Sequence, residues 1–361
     1  MAGGKKVKFS YSDTINVREG EELDKKTLLH YIRENLPNVP NGQLEIEQFG
    51  AGHSNLTYLL RVKSWEAVLR RPPLGPVAPK SHDMEREFRI LTSLNPFYQT
   101  APKAYHYSED NTIVGSRFFI MERRKGIVID TEFPNGVIYD NLLGQKISEL
   151  MVDKLVELHQ IDYTKTELLN ISKPTGFMKR QVDGWIKRYE LSKTDNIHGV
   201  DQLTKWMQEN IPISPNPAII HYDYKLNNAM FSEDFSEMVG LFDWEMTTVG
   251  DPLADLGVAL AYWTQPDDPE QLKKGIGKPS VTTIGGFFSR EQFLETYARK
   301  SGRDVSSIHF YLTFAYFKLA VICQQIYYRY YKGQTNDPRF AQLNQYTAIL
   351  IHYALNSTKG M

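Results

Sequence analysis

Residues 219–231 read IIHYDYKLNNAMF. A histidine, an aspartate and two asparagines stand between two short apolar stretches. A polar hairpin turn would account for them, and so would a loop that handles phosphate. The first reading requires nothing elsewhere in the chain. The second requires oxygen ligands for a divalent cation, a group that accepts a hydroxyl proton, and a cation for the donor's phosphates.

Downstream of this loop, VGLFDWE (239–245) places Asp243 directly after another apolar, strand-like run. Pairing of the two flanking strands would bring Asn228 and Asp243 together. Their amide and carboxylate oxygens are hard ligands suited to Mg²⁺, and Asp223 would face a substrate hydroxyl. Upstream, FGAGHSNLTYLL (49–60) carries Gly50 and Gly52 between two strand-like segments. A dinucleotide-binding fingerprint needs a third glycine where Asn55 stands, and a helix where LTYLLRV follows. A glycine hairpin laid over phosphates fits the spacing instead, and so does an ordinary hairpin. His53, Ser54 and Asn55 either touch phosphate from the loop tip or shape the turn. GIGKPS (275–280) has Pro279 where a Walker A loop requires Ser or Thr. Ser54 lacks the glycine at position 56 that a nucleophile elbow needs.

The bulk numbers narrow the class. With 361 residues the chain is long enough for about two domains. Lys+Arg 42 against Asp+Glu 43 leaves no global attraction to nucleic acid or to an acidic membrane. A single cysteine, Cys323, excludes a disulfide framework and a cysteine zinc site within one chain. MAGGKKVKFSYSDT at the N-terminus lacks the apolar core of a signal peptide. The apolar stretch 309–331 is interrupted by Lys318, Gln324, Gln325 and Arg329, and reads as a long buried helix rather than a span. The expectation is a cytoplasmic chain with no membrane and no nucleic-acid partner.

Periodicity divides the chain. Residues 1–22 read as an extension. Between 23 and 125, strands are expected at 44–49, 56–62, 66–72 and 112–124, with helices at 23–36 and 82–94. From 126 to 361 helices dominate, at 148–160, 182–192, 201–210 and beyond, broken by short strands within 219–249. Asp251 before Pro252 reads as an N-cap, with Asp255 one turn further on as a structural residue. His221 reads as a packing residue that holds the loop backbone.

A lone aspartate in a loop is ordinarily surface decoration. The ordered set carries the weight: glycine hairpin, strand cation, helix carboxylate, H-x-D-x-x-x-x-N, then a strand ending in Asp. HYDYKLNN followed by LFDWEMTTVGDPLADLG resembles the aminoglycoside phosphotransferase and choline kinase-like family, over about residues 40–340. VLRRPP, SHDMEREFRIL and QVDGWIKRYELS resemble its branch linked to acyl-CoA dehydrogenases. The resemblance implies an α+β, two-lobed protein-kinase-like fold. It has a small N-terminal antiparallel β lobe and a larger, mainly helical C-terminal lobe, with ATP in the cleft between them. It implies an ATP- and Mg²⁺-dependent phosphotransferase acting on an acceptor hydroxyl. Asp223 is then the catalytic base, and Asn228 and Asp243 the magnesium ligands. Gly50, Gly52, His53, Ser54 and Asn55 cover the phosphates, and Arg70 binds them, positioned by Glu87. Met121 and Glu122 mark the segment that receives adenine. Hydroxyacyl-CoA, aminoglycoside, choline-like alcohol and sugar stand as acceptors in that order. A non-catalytic nucleotide-binding scaffold is the alternative.

Two positions depart from the family pattern. Tyr222 replaces the usual glycine of H-G-D, and Arg70 stands where many relatives carry lysine. Trp185, Tyr189, Trp206, Tyr262 and Trp263 are core or acceptor-pocket aromatics. Lys179, Arg180, Lys187 and Arg188 form either a solvated helix face or a contact for CoA phosphates.

Overall fold

Alternation along WEAVLRR decides which of two adjacent arginines can serve a site. The computed structural model describes residues 13–50, 55–74, 82–213, 216–275 and 277–358. Its strands are β1 (Thr14–Ile15), β2 (Glu45–Phe49), β3 (Leu56–Val62), β4 (Trp65–Arg71), β5 (Ala104–Ser108), β6 (Phe118–Glu122), β7 (Ile127–Val128), β8 (Ala218–Ile220), β9 (Ala229–Phe231), β10 (Met238–Leu241) and β11 (Thr248–Gly250). Its helices are α1 (Lys25–Asn35), α2 (Met84–Leu94), α3 (Asn111–Val114), α4 (Asn141–Gln160), α5 (Phe177–Ser192), α6 (Val200–Glu209), α7 (Pro252–Tyr262), α8 (Glu270–Lys274), α9 (Arg290–Ser301), α10 (Ile308–Tyr331) and α11 (Leu343–Ser357).

The chain divides into two units. One runs to Ile127 and takes in Pro134–Val137 and Val239–Glu245. The other comprises Val128–Phe133, Ile138–Met238 and the chain from Met246.

The first unit is built on a six-stranded antiparallel sheet of order β1-β2-β3-β4-β6-β5. Leu56 pairs with Arg71 and Val62 with Trp65 across the β3–β4 hairpin, and Arg70 pairs with Phe119 across β4–β6. Strand residues alternate faces. Tyr58, Leu60, Val62, Ala67, Leu69, Phe118 and Ile120 form one face and bury against Leu28, Ile32 and Leu36 of α1 and its C-cap. Arg71 belongs to this face, where it donates to the Tyr58 hydroxyl (2.7 Å) and the Val114 carbonyl (2.6 Å). Arg70 points the other way, as do Val68, Phe119 and Met121. α2 packs on β5 and β6 and is capped by Asp83, which accepts from Arg86 N at 3.0 Å.

The sequence reading overextends one strand. Residues 111–114 are a helical turn, capped by Asp110 and stopped at Gly115 with φ +83°, so the strand of that segment is only Phe118–Glu122. The β-branched Thr112, Ile113 and Val114 favour a strand, but the cap and the left-handed glycine override them.

The second unit is organised around α10, which packs against α11, α7 and α5. Among the described residues no helix is long and apolar enough to cross a membrane. α7 begins as the GDP motif dictates: Asp251 accepts from Leu253 N and Pro252 opens the helix. α4 starts at Asn141, seven residues before the expected helix. Gly144 lets it lie close to another backbone: a Cβ there would fall 2.7 Å from Gly286 C.

Candidate active site

Arg70 lies on the α2-facing side of the sheet. Its Nε is 3.2 Å from Glu87 Oε2, and its Nη2 is 2.7 Å from Asp243 Oδ1. Glu87 comes from the first turn of α2, and Asp243 from the Val239–Glu245 segment of the same unit. That segment is tied in by Leu241 N donating to Thr100 O (2.9 Å) and by Trp244, whose ring packs edge-on against Tyr98. The Trp244 backbone N–H faces the Glu87 carboxylate, while its indole N–H donates to Leu241 O at 2.7 Å. Burial pushes the Glu87 carboxyl up to about 7, against the opposing pull of Arg70. Arg70 itself is held firmly charged: burial disfavours the cation, but Glu87 and Asp243 together outweigh it.

Asn55 is buried. Its amide meets His82 Nδ1 at 2.8 Å and, oriented to satisfy both neighbours, its oxygen accepts from Arg70 Nη2 at 2.8 Å. In this geometry Asn55 shapes the turn and steadies Arg70. Gly50 follows directly on β2, and its carbonyl accepts from Arg18 (3.4 Å). Gly52, His53 and Ser54 lie outside the described residues. Met121 is buried in β6, and Glu122 N–H donates to Lys103 O at 2.8 Å.

The second constellation lies in the other unit, where β8 runs into the loop 221–228. Asp255, fully buried on α7, accepts from His221 N (2.7 Å), Tyr222 N (2.8 Å) and His159 Nε2 (3.2 Å). Burial pulls its carboxyl up. The hydrogen bonds and charges of His159 and His221 more than offset this and leave it below its ordinary value. His221 is fully buried, and its Nδ1 accepts from Asp223 N at 3.3 Å, so the ring braces the loop.

Asp223 is ringed by donors. Its Oδ2 receives Asn228 Nδ2 and Lys225 Nζ, each at 3.0 Å, and the buried Tyr262 side chain lies close to the same carboxylate. Lys225 Nζ also stands 5.1 Å from the Tyr262 ring centroid. Asn228 spends its N–H groups on the Asp223 carboxylate and carbonyl (2.9 Å), which leaves the amide oxygen as its hard donor. The structure thus gathers Arg70, Glu87, Asp243 and Asn55 in the smaller unit, and Asp223 and Asn228 in the larger.

Both aspartate-bearing turns contain a left-handed, non-glycine residue: Tyr222 at φ +68° and Asp243 at φ +69°. Such conformations cost about 1–3 kcal/mol and cluster at functional positions.

The sequence profile of the phosphotransferase enzyme family matches residues 45–279, a span that contains Arg70, Glu87, Asp243, Asp223, Asn228 and Asp255. The chain belongs to the phosphotransferase enzyme family. This member is 30% identical over 332 residues to the rat (Rattus norvegicus) protein named acyl-CoA dehydrogenase family member 11, over 90% of this chain and 42% of that protein. The chain therefore spans about two fifths of that relative's length. A crystal structure of a candidate aminoglycoside phosphotransferase from Ralstonia eutropha JMP134 superposes with a TM-score of 0.79 at 26% identity, covering 94% of this chain and 99% of the other. Choline kinase from Cryptosporidium parvum shares the fold at a TM-score of 0.61 and 13% identity, over 93% and 96% of the two chains. The two-lobed kinase-like fold class holds for this phosphotransferase, with an antiparallel sheet unit and a mainly helical one.

Sequence reasoning missed three charged residues that stand against these two constellations. Lys225 is a cation two positions after Asp223 and could have been noticed from that spacing alone. Lys318 lies 96 positions from its partner, the Tyr222 carbonyl, and nothing local signals it. Glu245 adds a third carboxylate to the Glu87 and Asp243 carboxylates around Arg70. Of the basic group on α5, Lys179 pairs with Asp183 (2.8 Å), and the Arg188 guanidinium stacks 4.5 Å from the Trp185 ring centroid.

Proposed function

We propose that this chain transfers the γ-phosphoryl group of ATP to the hydroxyl of a small-molecule acceptor in a magnesium-dependent reaction. The observation that carries the reading is the Asp223 carboxylate, held on a clamped backbone turn and faced by Asn228, Lys225 and the Tyr262 side chain. In this reading the acceptor oxygen forms a bond to Pγ. The bond from Pγ to the bridging oxygen breaks, ADP departs, and the hydroxyl proton passes to Asp223. Arg70, steadied by Glu87 and Asn55, binds the donor phosphates beside Gly50. Met121 and Glu122 mark the adenine-binding segment.

Asn228 and Asp243 are the residues that would hold magnesium. The donor set fits. Mg²⁺ takes one or two protein oxygens and completes its shell with phosphate oxygens and water. Among the described residues no cluster of three or more His, Cys, Asp or Glu offers an all-protein cage. When bound, the ion neutralises charge on the phosphate oxygens. Among acceptors a hydroxyacyl-CoA stands first, because relatives matched over most of this chain are named as acyl-CoA dehydrogenase family members. Aminoglycosides and choline-like alcohols follow.

Thermal melting with and without Mg·ATP, on wild type and Asp243→Ala together, tests the nucleotide site. A magnesium-dependent rise in wild type alone supports it and opens a screen of hydroxyacyl-CoA acceptors with labelled ATP. No rise with ATP or GTP overturns the reading in favour of a nucleotide-independent scaffold.

A further inference from the structure

Lys318 is 2% exposed, in the middle of the largely apolar α10. A buried ammonium is costly unless it is paired and hydrogen-bonded. Lys318 Nζ donates to the Tyr222 carbonyl at 2.6 Å and stands 3.8 Å from the Tyr222 ring centroid. It thus grips one residue twice, through backbone and ring. Tyr222 is the left-handed residue immediately before Asp223, a conformation that glycine adopts freely and tyrosine does not. Phe177 meets the Tyr222 ring edge-on, and Gln181 accepts from its hydroxyl at 3.3 Å, so the ring is seated as well as the backbone. Asp255 fixes the N–H side of the same peptide run, and Lys318 fixes the carbonyl side.

We propose that Lys318 is a positioning residue for Asp223: it holds Tyr222 in the left-handed turn that aims the neighbouring carboxylate. The catalytic part of this inference rests on the phosphotransferase reading; the mechanical part does not. Burial pushes the Lys318 ammonium down to about 8, while Asp223 and Asp255 favour its charge, so it is charged at neutral pH. Tyrosine at position 222 supplies the ring and makes the lysine necessary. With glycine there, the turn would need no such hold.

The test is a cycle of Lys318→Met in the wild-type and Tyr222→Gly backgrounds. It has two readouts: release of phosphate from labelled ATP, with water as acceptor, and deuterium exchange of the amides at 219–228. In the wild-type background, Lys318→Met is expected to lower kcat by about 10- to 100-fold, as a small misplacement of a reacting group does, with KM for ATP unchanged. Exchange at 221–223 should rise. In the Tyr222→Gly background the same substitution should change both readouts far less. A purely structural lysine would give equal losses in the two backgrounds, and that result overturns the proposal, as does unchanged exchange in Lys318→Met. If wild type releases no phosphate, the exchange cycle alone decides. Its expected pattern then upholds the grip on the loop while the phosphotransferase reading fails. Should Lys318→Met not fold, Lys318→Gln, which keeps an N–H donor, replaces it in both backgrounds with the same criteria.

Discussion

In the smaller unit a cation, Arg70, is held by side chains: Glu87, Asp243 and the Asn55 amide. In the larger unit an anion, Asp223, is held through its backbone. Asp255 takes the N–H groups of the two preceding residues, His221 and Tyr222, and Lys318 takes the carbonyl of Tyr222. The difference matters when a partner is lost. A carboxyl paired with Arg70 can neutralise itself by taking a proton. A backbone N–H stripped of its acceptor cannot. The larger unit's site should therefore be brittle and the smaller unit's site compliant.

The largest expected effect falls on chemistry. Asp223→Asn keeps the size and the hydrogen bonding to Asn228 but removes the proton acceptor. Transfer should drop by about 10³- to 10⁴-fold with Mg·ATP affinity intact. Equal loss of nucleotide binding would mean that Asp223 serves the nucleotide rather than the acceptor, and the division of roles drawn above would fail.

Next comes brittleness itself. Asp255→Ala leaves two buried N–H groups and a buried His159 without their acceptor. Unfolding free energy should fall by about 3–5 kcal/mol, the range for removing one member of a buried charged network. Because the Asp255 carboxyl lies below its ordinary value in the folded chain, its contribution is present at neutral pH. That contribution is lost as pH falls through the folded value. Urea unfolding at neutral pH, followed by any backbone probe, measures it. A loss under about 1 kcal/mol would show that the loop relaxes and is not brittle.

Arg70→Met probes the compliant site. Nucleotide affinity should fall by about 10- to 100-fold, as expected for a lost charge-assisted phosphate contact. Stability should fall less than in Asp255→Ala, by about 1–2 kcal/mol, because Glu87 can take up a proton once its cation is gone. A loss as large as that of Asp255→Ala would erase the contrast between the units.

Much of this contrast was legible in the chain, and the reason lies in sequence distance. H-x-D-x-x-x-x-N and the Asp-Pro cap are local, so Asp223, Asn228 and the start of α7 could be read from neighbours. Strand alternation separates Arg70 from Arg71, given which face α1 covers. The hidden parts are the long-range ones. Lys318 looked like an interruption in an apolar helix because its partner is 96 residues away. The early start of α4 depends on Gly144 lying against Gly286, a packing fact with no periodic signal. Residues 111–114 misled for a different reason. There β-branched side chains competed with a cap and a left-handed glycine, and the local backbone chemistry prevailed.

The smallest effect is the sharpest on the comparison. In the folded chain burial raises Glu87 to about 7, against an ordinary 4.5. Between those values the folded chain keeps a proton that the unfolded chain has released. Stability contributed by this group is therefore full below the ordinary value and is lost as pH rises toward the folded one. This is the opposite sign from Asp255, whose contribution disappears on acidification. Glu87→Gln removes the titration, so its unfolding free energy should vary less than that of wild type between about pH 5 and pH 6, by about 1 kcal/mol. Denaturant midpoints at the two pH values, each for both proteins, give the difference directly. Parallel profiles would mean that Arg70 keeps Glu87 ionised throughout. In that case the carboxylates of both units are fixed charges, and the compliance assigned to the smaller one does not exist.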